Sequence, residues 1–219
     1  MMGKNDNTQG NTLDASLVFR KFLSTDPHNI EANIGFATVQ SWDGKYQQAE
    51  HRYLKVLEQQ PNHLQALVGL GYTLGWSGQF NKAATVFSRA RVVAPGCFDV
   101  DKGVAFIALW RKDSQRAVSK LRHLVSKKPG NTSLLVALGQ AQLMNANSTQ
   151  AIDTFQSALA IEPENEVAKN GLWAACTIPS ILESGMLNGN NEEDIGLRQY
   201  PASNPALSRD SFYVYQGDK

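Results

Sequence analysis

LQALVGLGYTLGWSGQFNKAATVFSRARVVAPGC, residues 64–97, decides the fold. Its first half places apolar residues at Leu67, Val68, Leu70, Tyr72 and Leu74, the pattern of a largely buried helix. Ser77 and Gly78 break that helix, and glycine is the residue best suited to the left-handed conformation after a helix end. The second half puts Phe80, Ala83, Val86, Phe87 and Ala90 on one stripe, again helical. Pro95 stops it, because proline lacks an N–H and its ring clashes with the preceding turn. The unit is a helical hairpin.

Outward from this stretch the same marks recur. Pro27, Pro61, Pro95, Pro129 and Pro163 stand 34 residues apart. Ala15, Ala49, Ala83, Ala117 and Ala151 keep that step, as do Phe19, Tyr53, Phe87, Leu121 and Phe155. Three registers on one period mean stacked copies of one unit. Each copy is stable only against its neighbours, which predicts a solenoid with one continuous core and a long binding surface. Position eight of the unit is small (Ala37, Gly71, Ala105, Gly139) and position twenty is Ala, so the two helices can cross closely there. Glycine also recurs at position six, as Gly35, Gly69 and Gly103. Inside a helix each costs about 1 kcal/mol against alanine. That implies close approach by a neighbouring helix or a ligand backbone.

Leu-Gly at positions seven and eight, Ala at twenty, an aromatic at twenty-four and Pro at thirty-two resemble the tetratricopeptide repeat. The residues carrying the likeness are Leu70, Gly71, Ala83, Phe87, Ala90 and Pro95, then Leu138, Gly139, Ala151, Phe155, Ala158 and Pro163. The family's tryptophan at position four is replaced by Asn33, Leu67, Asp101 and Leu135. The resemblance implies an all-α, right-handed superhelical solenoid of antiparallel helix pairs. Its full repeats would be residues 30–63, 64–97, 98–131 and 132–165. A half repeat over 14–27 would precede them and a capping helix over 166–178 follow, its Trp173 covering the end of the core and Pro179 cutting it short.

The flanks read differently. MMGKNDNTQGN is polar and predicts a flexible segment over 1–13. The apolar Leu17, Phe19 and Phe22 favour a piece cut from a longer array over a frayed cap. Residues 179–219 form an irregular tail, acidic yet carrying Tyr200, Leu207, Phe212, Tyr213 and Tyr215. Such anchors leave two readings open: disorder, or a tail that docks on this chain or a partner.

In the family the first helices line the concave face. Carried over, position five gives Ile34, Val68, Lys102 and Val136, and position nine gives Thr38, Tyr72, Phe106 and Gln140. Position thirteen gives Trp42, Trp76, Trp110 and Met144. The tryptophan row is either packing between repeats or an aromatic ladder for a partner, since Trp and Tyr bury large area with few rotatable bonds. The apolar character of these sites, with Lys102 alone charged, does not fit the carboxylate clamp of chaperone-binding relatives. Gly75-Trp76-Ser77-Gly78 is also similar to turns in repeat regions of bacterial exopolysaccharide-export and envelope proteins.

Charge is nearly balanced, 21 basic against 20 acidic residues, which argues against a generic nucleic-acid or anionic-membrane binder. No phosphate-binding glycine loop, His-Glu-x-x-His or paired-cysteine motif occurs, so no cofactor, metal or catalysis is expected. Cys97 and Cys176 read as inert thiols of a reducing compartment. Asn131 and Asn147 each open a glycosylation sequon, which matters only in a secretory lumen. The start carries no signal-peptide pattern and no run is long enough to span a bilayer, so the expected location is cytoplasmic, or periplasmic if an upstream signal has been removed. The expected function is a protein-interaction scaffold or adaptor whose groove takes an extended or helical segment of another protein. Tyr72, Trp76, Phe106 and Trp110 are its chief expected contacts. One alternative is an envelope protein contacting glycan or secretion machinery. The other is self-association or autoinhibition through residues 198–215.

Overall fold

The computed structural model describes residues 6–183, and the side chains of residues 15–177. All elements among them are α-helices: α1 (Asp6–Thr25), α2 (Ile30–Trp42), α3 (Tyr46–Gln59), α4 (Leu64–Trp76), α5 (Phe80–Val93), α6 (Phe98–Trp110), α7 (Ser114–Lys127), α8 (Thr132–Met144), α9 (Ser148–Ile161) and α10 (Glu166–Glu183). The 34-residue period is kept to the residue. The first helix of each repeat (α2, α4, α6, α8) has 13 residues and the second (α3, α5, α7, α9) has 14.

Each junction follows from its sequence. Before the first helices, Asn29, His63 and Asn131 accept the N–H three residues on, at 2.9, 3.3 and 3.0 Å. Asp113 and Asn147 cap α7 and α9 in the same way. These caps satisfy helix N–H groups that otherwise lack partners. The two sequon asparagines are therefore both helix caps. After each first helix one residue turns left-handed: Gly44 (φ 75°), Gly78 (φ 78°), Lys112 (φ 60°) and Ala146 (φ 55°). The next N–H in each turn closes back five residues, as in Asn147 to the Gln142 carbonyl at 2.9 Å.

Close approach by a neighbouring helix explains the position-six glycines. A Cβ on Gly35 would lie 2.4 Å from the Phe19 ring, on Gly69 2.5 Å from Tyr53, and on Gly103 2.2 Å from Phe87. Gly171 in α10 sits on Phe155 in the same way. The aromatic of one second helix thus seats on the glycine of the following first helix. Where position twenty-four is the smaller Leu121, the next position six is Ala137.

The chain divides into two compact units at Gly103–Val104, within α6. In the first, α1 packs on α2, α2 on α3, α3 on α4 and α4 on α5. Tyr53 and Phe87 are sealed at its centre. In the second, α7 packs on α8, α8 on α9, and α10 on both α9 and α8. Its core gathers Leu135, Val136, Phe155, Ala158, Ala168 and Ala175.

The ends depart from expectation at three points. α1 begins at Asp6, inside the segment expected to be flexible. Once Phe19 is anchored on Gly35, each further residue extends the helix with one bond and no new nucleus. α10 runs through Pro179 to Glu183, beyond the expected end at residue 178. Proline forfeits one backbone hydrogen bond there, yet its fixed φ is itself helical. Trp173 is 63 % exposed and does not cover the core. The cap is made by Gly171 against Phe155, with Ala168 and Ala175 fully buried beside it. Residues 184–219, and with them the expected docking segment 198–215, lie outside the described residues.

Candidate functional site

The first-helix residues expected to meet a partner fall in both units. In the first unit Ile34, Val68, Tyr72, Trp76 and Lys102 are buried, while Thr38 and Trp42 are half-buried. In the second, Phe106 and Val136 are buried, Trp110 and Gln140 are half-buried and Met144 is 37 % exposed. The helical period joins position nine to position thirteen, one turn on. Tyr72 and Trp76 stack with ring centroids 5.8 Å apart and planes at 28°. Phe106 and Trp110 keep the same 5.8 Å but are tilted, with planes at 35°. In α2 the position-nine residue is Thr38, which forms no such pair; its hydroxyl meets the Tyr53 hydroxyl at 2.9 Å.

Tyr72 is held on three sides. Phe87 meets it edge-on at 5.2 Å, Trp76 stacks on it, and its hydroxyl donates to the Asp99 carbonyl at 3.4 Å. Burial, then the charges of Asp99 and Cys97, push its phenol well above the ordinary value. Lys102, the one charged residue in the row, stands 3.5 Å from the Asp99 carboxylate. With Tyr72 at 4 % and Trp76 at 8 % exposed, the open aromatic surface rests with Trp42 and Trp110.

Two polar sites escaped sequence reasoning. In the first repeat, Arg52 of α3 donates from Nε to Gln40 Oε1 at 3.0 Å and from Nη1 to Asn33 Oδ1 at 3.2 Å. Gln40 in turn donates to Gln48 at 2.9 Å. The Arg52 guanidinium lies 4.2 Å from the Phe36 ring centroid, and Arg20 approaches the same ring at 5.8 Å. Burial, then the Arg20 charge, lowers the Arg52 pKa. A signal existed: Asn33 stands where the family has tryptophan, and a polar residue inside an apolar helix must find partners.

The second site is a cavity of about 590 Å³ between α7, the C-terminal end of α8 and the start of α9. Arg122 and His123 of α7 line it, with Gln142 and Asn145 at the end of α8 and Gln150 of α9. Arg122 Nη2 donates to Gln150 Oε1 at 3.1 Å. Gln142 is 4 % exposed, and its Oε1 is closed off with no hydrogen-bond partner. No group of metal-ligating side chains occurs among the described residues. Nor is any described helix long and apolar enough to cross a membrane.

Residues 43–96 match the tetratricopeptide repeat family. No curated protein matches the chain. Among solved structures, TTC0263, a thermophilic tetratricopeptide-repeat protein of Thermus thermophilus, superposes with a TM-score of 0.67 at 17% identity, covering 78% of this chain and 94% of its own. MamA of Desulfovibrio magneticus RS-1 gives 0.60 at 18%, covering 72% and 89%. YrrB, described as having an unusual peptide-binding site, gives 0.55 at 15%, covering 90% and 95%. At these identities the likeness establishes the fold, an all-α solenoid of tetratricopeptide type.

Proposed function

Taking the chain as a tetratricopeptide-repeat protein, we propose that it is a non-catalytic scaffold that binds a segment of another protein along its first helices. The observation that carries this reading is the repeated aromatic pair, Tyr72 with Trp76 and Phe106 with Trp110, both at 5.8 Å. In each pair a more deeply buried ring lies against a tryptophan, stacked in the first and tilted in the second. A side chain fixed in this way loses little rotamer freedom on binding, so more of the buried area becomes affinity. Trp110, paired with Phe106, and Trp42, which has Thr38 rather than an aromatic ring at position nine, are the anchors, because they keep surface open to a partner, whereas Tyr72 and Trp76 are buried.

Affinity capture from cell extract with the wild type and a Trp42→Ala/Trp110→Ala variant tests this. A partner recovered by the wild type and confirmed by titration with the purified protein should bind the variant about 2 kcal/mol or more weakly. Equal affinity in a variant with an unchanged helical spectrum would assign the row to packing between repeats.

A further inference from the structure

By register the amino-terminal helix α1 is the second helix of a repeat, with Ala15 at position twenty and Phe19 at position twenty-four. Phe19 anchors it on α2, stacked on Phe36 at 6.5 Å and seated on Gly35, and Arg20 lies 5.8 Å from the Phe36 ring centroid. Its other side is open. Position twenty-seven is sealed in every complete repeat, at Val56, Ala90, Leu124 and Ala158, none more than 1 % exposed. In α1 that position is Phe22, and it is 62 % exposed. A first helix packed as in the other repeats would cover Phe22 and still leave Leu17 in water. Leu17 stands at position twenty-two, where the complete repeats carry His51, Thr85, Ser119 and Asp153, all polar and all exposed. Leu17 is 63 % exposed and its neighbour Val18 53 %. The repeat pattern therefore accounts for an apolar Phe22 but not for an apolar Leu17. One occupant that covers Leu17, Val18 and Phe22 together accounts for all three, since burial of such side chains is what drives association.

The charge pattern of α1 names that occupant. Asp14 and Lys21 are seven residues apart on the helix, about two turns, and so share one side of it, with Leu17 and Val18 between them along the axis. The midpoint of Asp14 and Lys21 is also the midpoint of Leu17 and Val18. Turned antiparallel about that point, α1 is complementary to itself: Leu17 of one copy stands level with Val18 of the other, and Asp14 level with Lys21, each correspondence occurring twice. One Phe22 lies toward each end of the contact. A parallel arrangement would instead set Asp14 against Asp14 and Lys21 against Lys21, and like charges meeting in this way disfavour it. The antiparallel contact uses the same patch on both copies and closes as a dimer. We propose that the open face of α1 pairs two copies of this chain, antiparallel, with Leu17, Val18 and Phe22 supplying the buried surface and Asp14 and Lys21 fixing the register.

Sedimentation equilibrium of the full chain, from micromolar to submillimolar concentration, should show a reversible monomer–dimer equilibrium. Val18→Lys, at an exposed position, should raise the dimer Kd at least about tenfold with the helical spectrum unchanged. Asp14→Lys, which sets two lysines against each other twice, should raise it at least about threefold, less so at high salt. The exchange Asp14→Lys/Lys21→Asp should bring the Kd back to the wild-type value. That recovery is a readout that a role confined to the stability of α1 would not give. A wild type that stays monomeric throughout overturns the proposal, as does a dimer indifferent to Val18→Lys. A dimer weakened by Asp14→Lys and not recovered by the exchange overturns the antiparallel pairing. A dimer lost in Phe212→Ser/Tyr213→Ser/Tyr215→Ser but untouched by Asp14→Lys gives the face to the carboxy-terminal segment and overturns the pairing of two α1 helices. None of these residues belongs to the aromatic rows, so the outcome is independent of the test on Trp42 and Trp110.

Discussion

The first and fourth repeats place glutamine at the same two positions and resolve it in opposite ways. In residues 30–63 the Gln40 amide is enclosed by Arg52 and Gln48, and Arg52 is itself shared with Asn33 and the Phe36 ring. In residues 132–165 the places of Arg52, Asn33 and Phe36 are taken by Thr154, Leu135 and Leu138. There Gln142 Oε1 is left without a donor beside a cavity. The helical hairpin is common to both, so the difference lies in a few side chains. A repeat scaffold keeps its stability in the recurring apolar register and can carry independent chemistry at the positions between.

The largest expected effect comes from breaking the closed site. Arg52→Ala strips a donor from Gln40 and from Asn33, both buried, and removes the cation from the Phe36 face. Losing a charged donor to buried acceptors costs about 2–3 kcal/mol. Arg122→Ala, on the open site, removes an exposed side chain bonded to a neutral amide, and should change stability by about 0.5 kcal/mol or less. Urea unfolding of the two variants measures the contrast. Equal losses would mean that Arg122 is as deeply built in as Arg52.

A second contrast appears at high pH. The first unit buries two phenols, Tyr53 and Tyr72, whereas the second has Leu121 and Phe155 at the Tyr53 register. Burial raises both phenols, and the Thr38 hydroxyl only partly offsets this at Tyr53. Below pH 10, the ordinary phenol value, folded and unfolded chains both keep these protons and stability is flat with respect to them. Above it the unfolded chain releases them first, so stability falls by about 1.4 kcal/mol per pH unit for each such group, until the folded state releases its own. Tyr53→Phe should lower stability at neutral pH by about 1 kcal/mol, through the lost Thr38 bond, yet shallow the alkaline decline. An unchanged slope between about pH 10 and 11 would show that Tyr53 is reached by water before unfolding.

Much of this architecture was legible in the chain because it rests on strictly periodic sterics. Pro95, Ala83 and Phe87 mark a helix stop, a close crossing and a filled volume wherever they recur. The glycines at 35, 69 and 103 belonged to the same logic, since each underlies an aromatic from the preceding helix. Three things were not legible. Whether Gln40 or Gln142 is satisfied depends on the residue twelve positions on, Arg52 or Thr154, and on the way each side chain folds back. The extents of α1 and α10 depend on docking, which outweighs the weak propensity of Asn and Gly near residue 10 and of Pro179. The burial of Trp76 against the openness of Trp110 depends on neighbours that differ between repeats that look alike in sequence.

The smallest contrast tests whether the two repeats truly share a backbone. Position fifteen is Gly44 in the first and Ala146 in the fourth, and both are left-handed, at φ 75° and 55°. For alanine that conformation costs about 1–2 kcal/mol, from the approach of Cβ to the following carbonyl oxygen. Glycine avoids this cost but gives up about 0.5–1 kcal/mol of unfolded-state entropy. Ala146→Gly should therefore stabilise the chain by about 0.5–1 kcal/mol, and Gly44→Ala should destabilise it by a similar amount. Nothing lies within 4 Å of a Cβ built on Gly44, so no steric clash with a neighbour adds to the second value. Thermal unfolding of both single variants and of the double exchange provides the check. A double variant matching wild type would mean that the turn penalty transfers between repeats, whereas a destabilising Ala146→Gly would mean that the fourth turn is held by something other than the geometry it shares with the first.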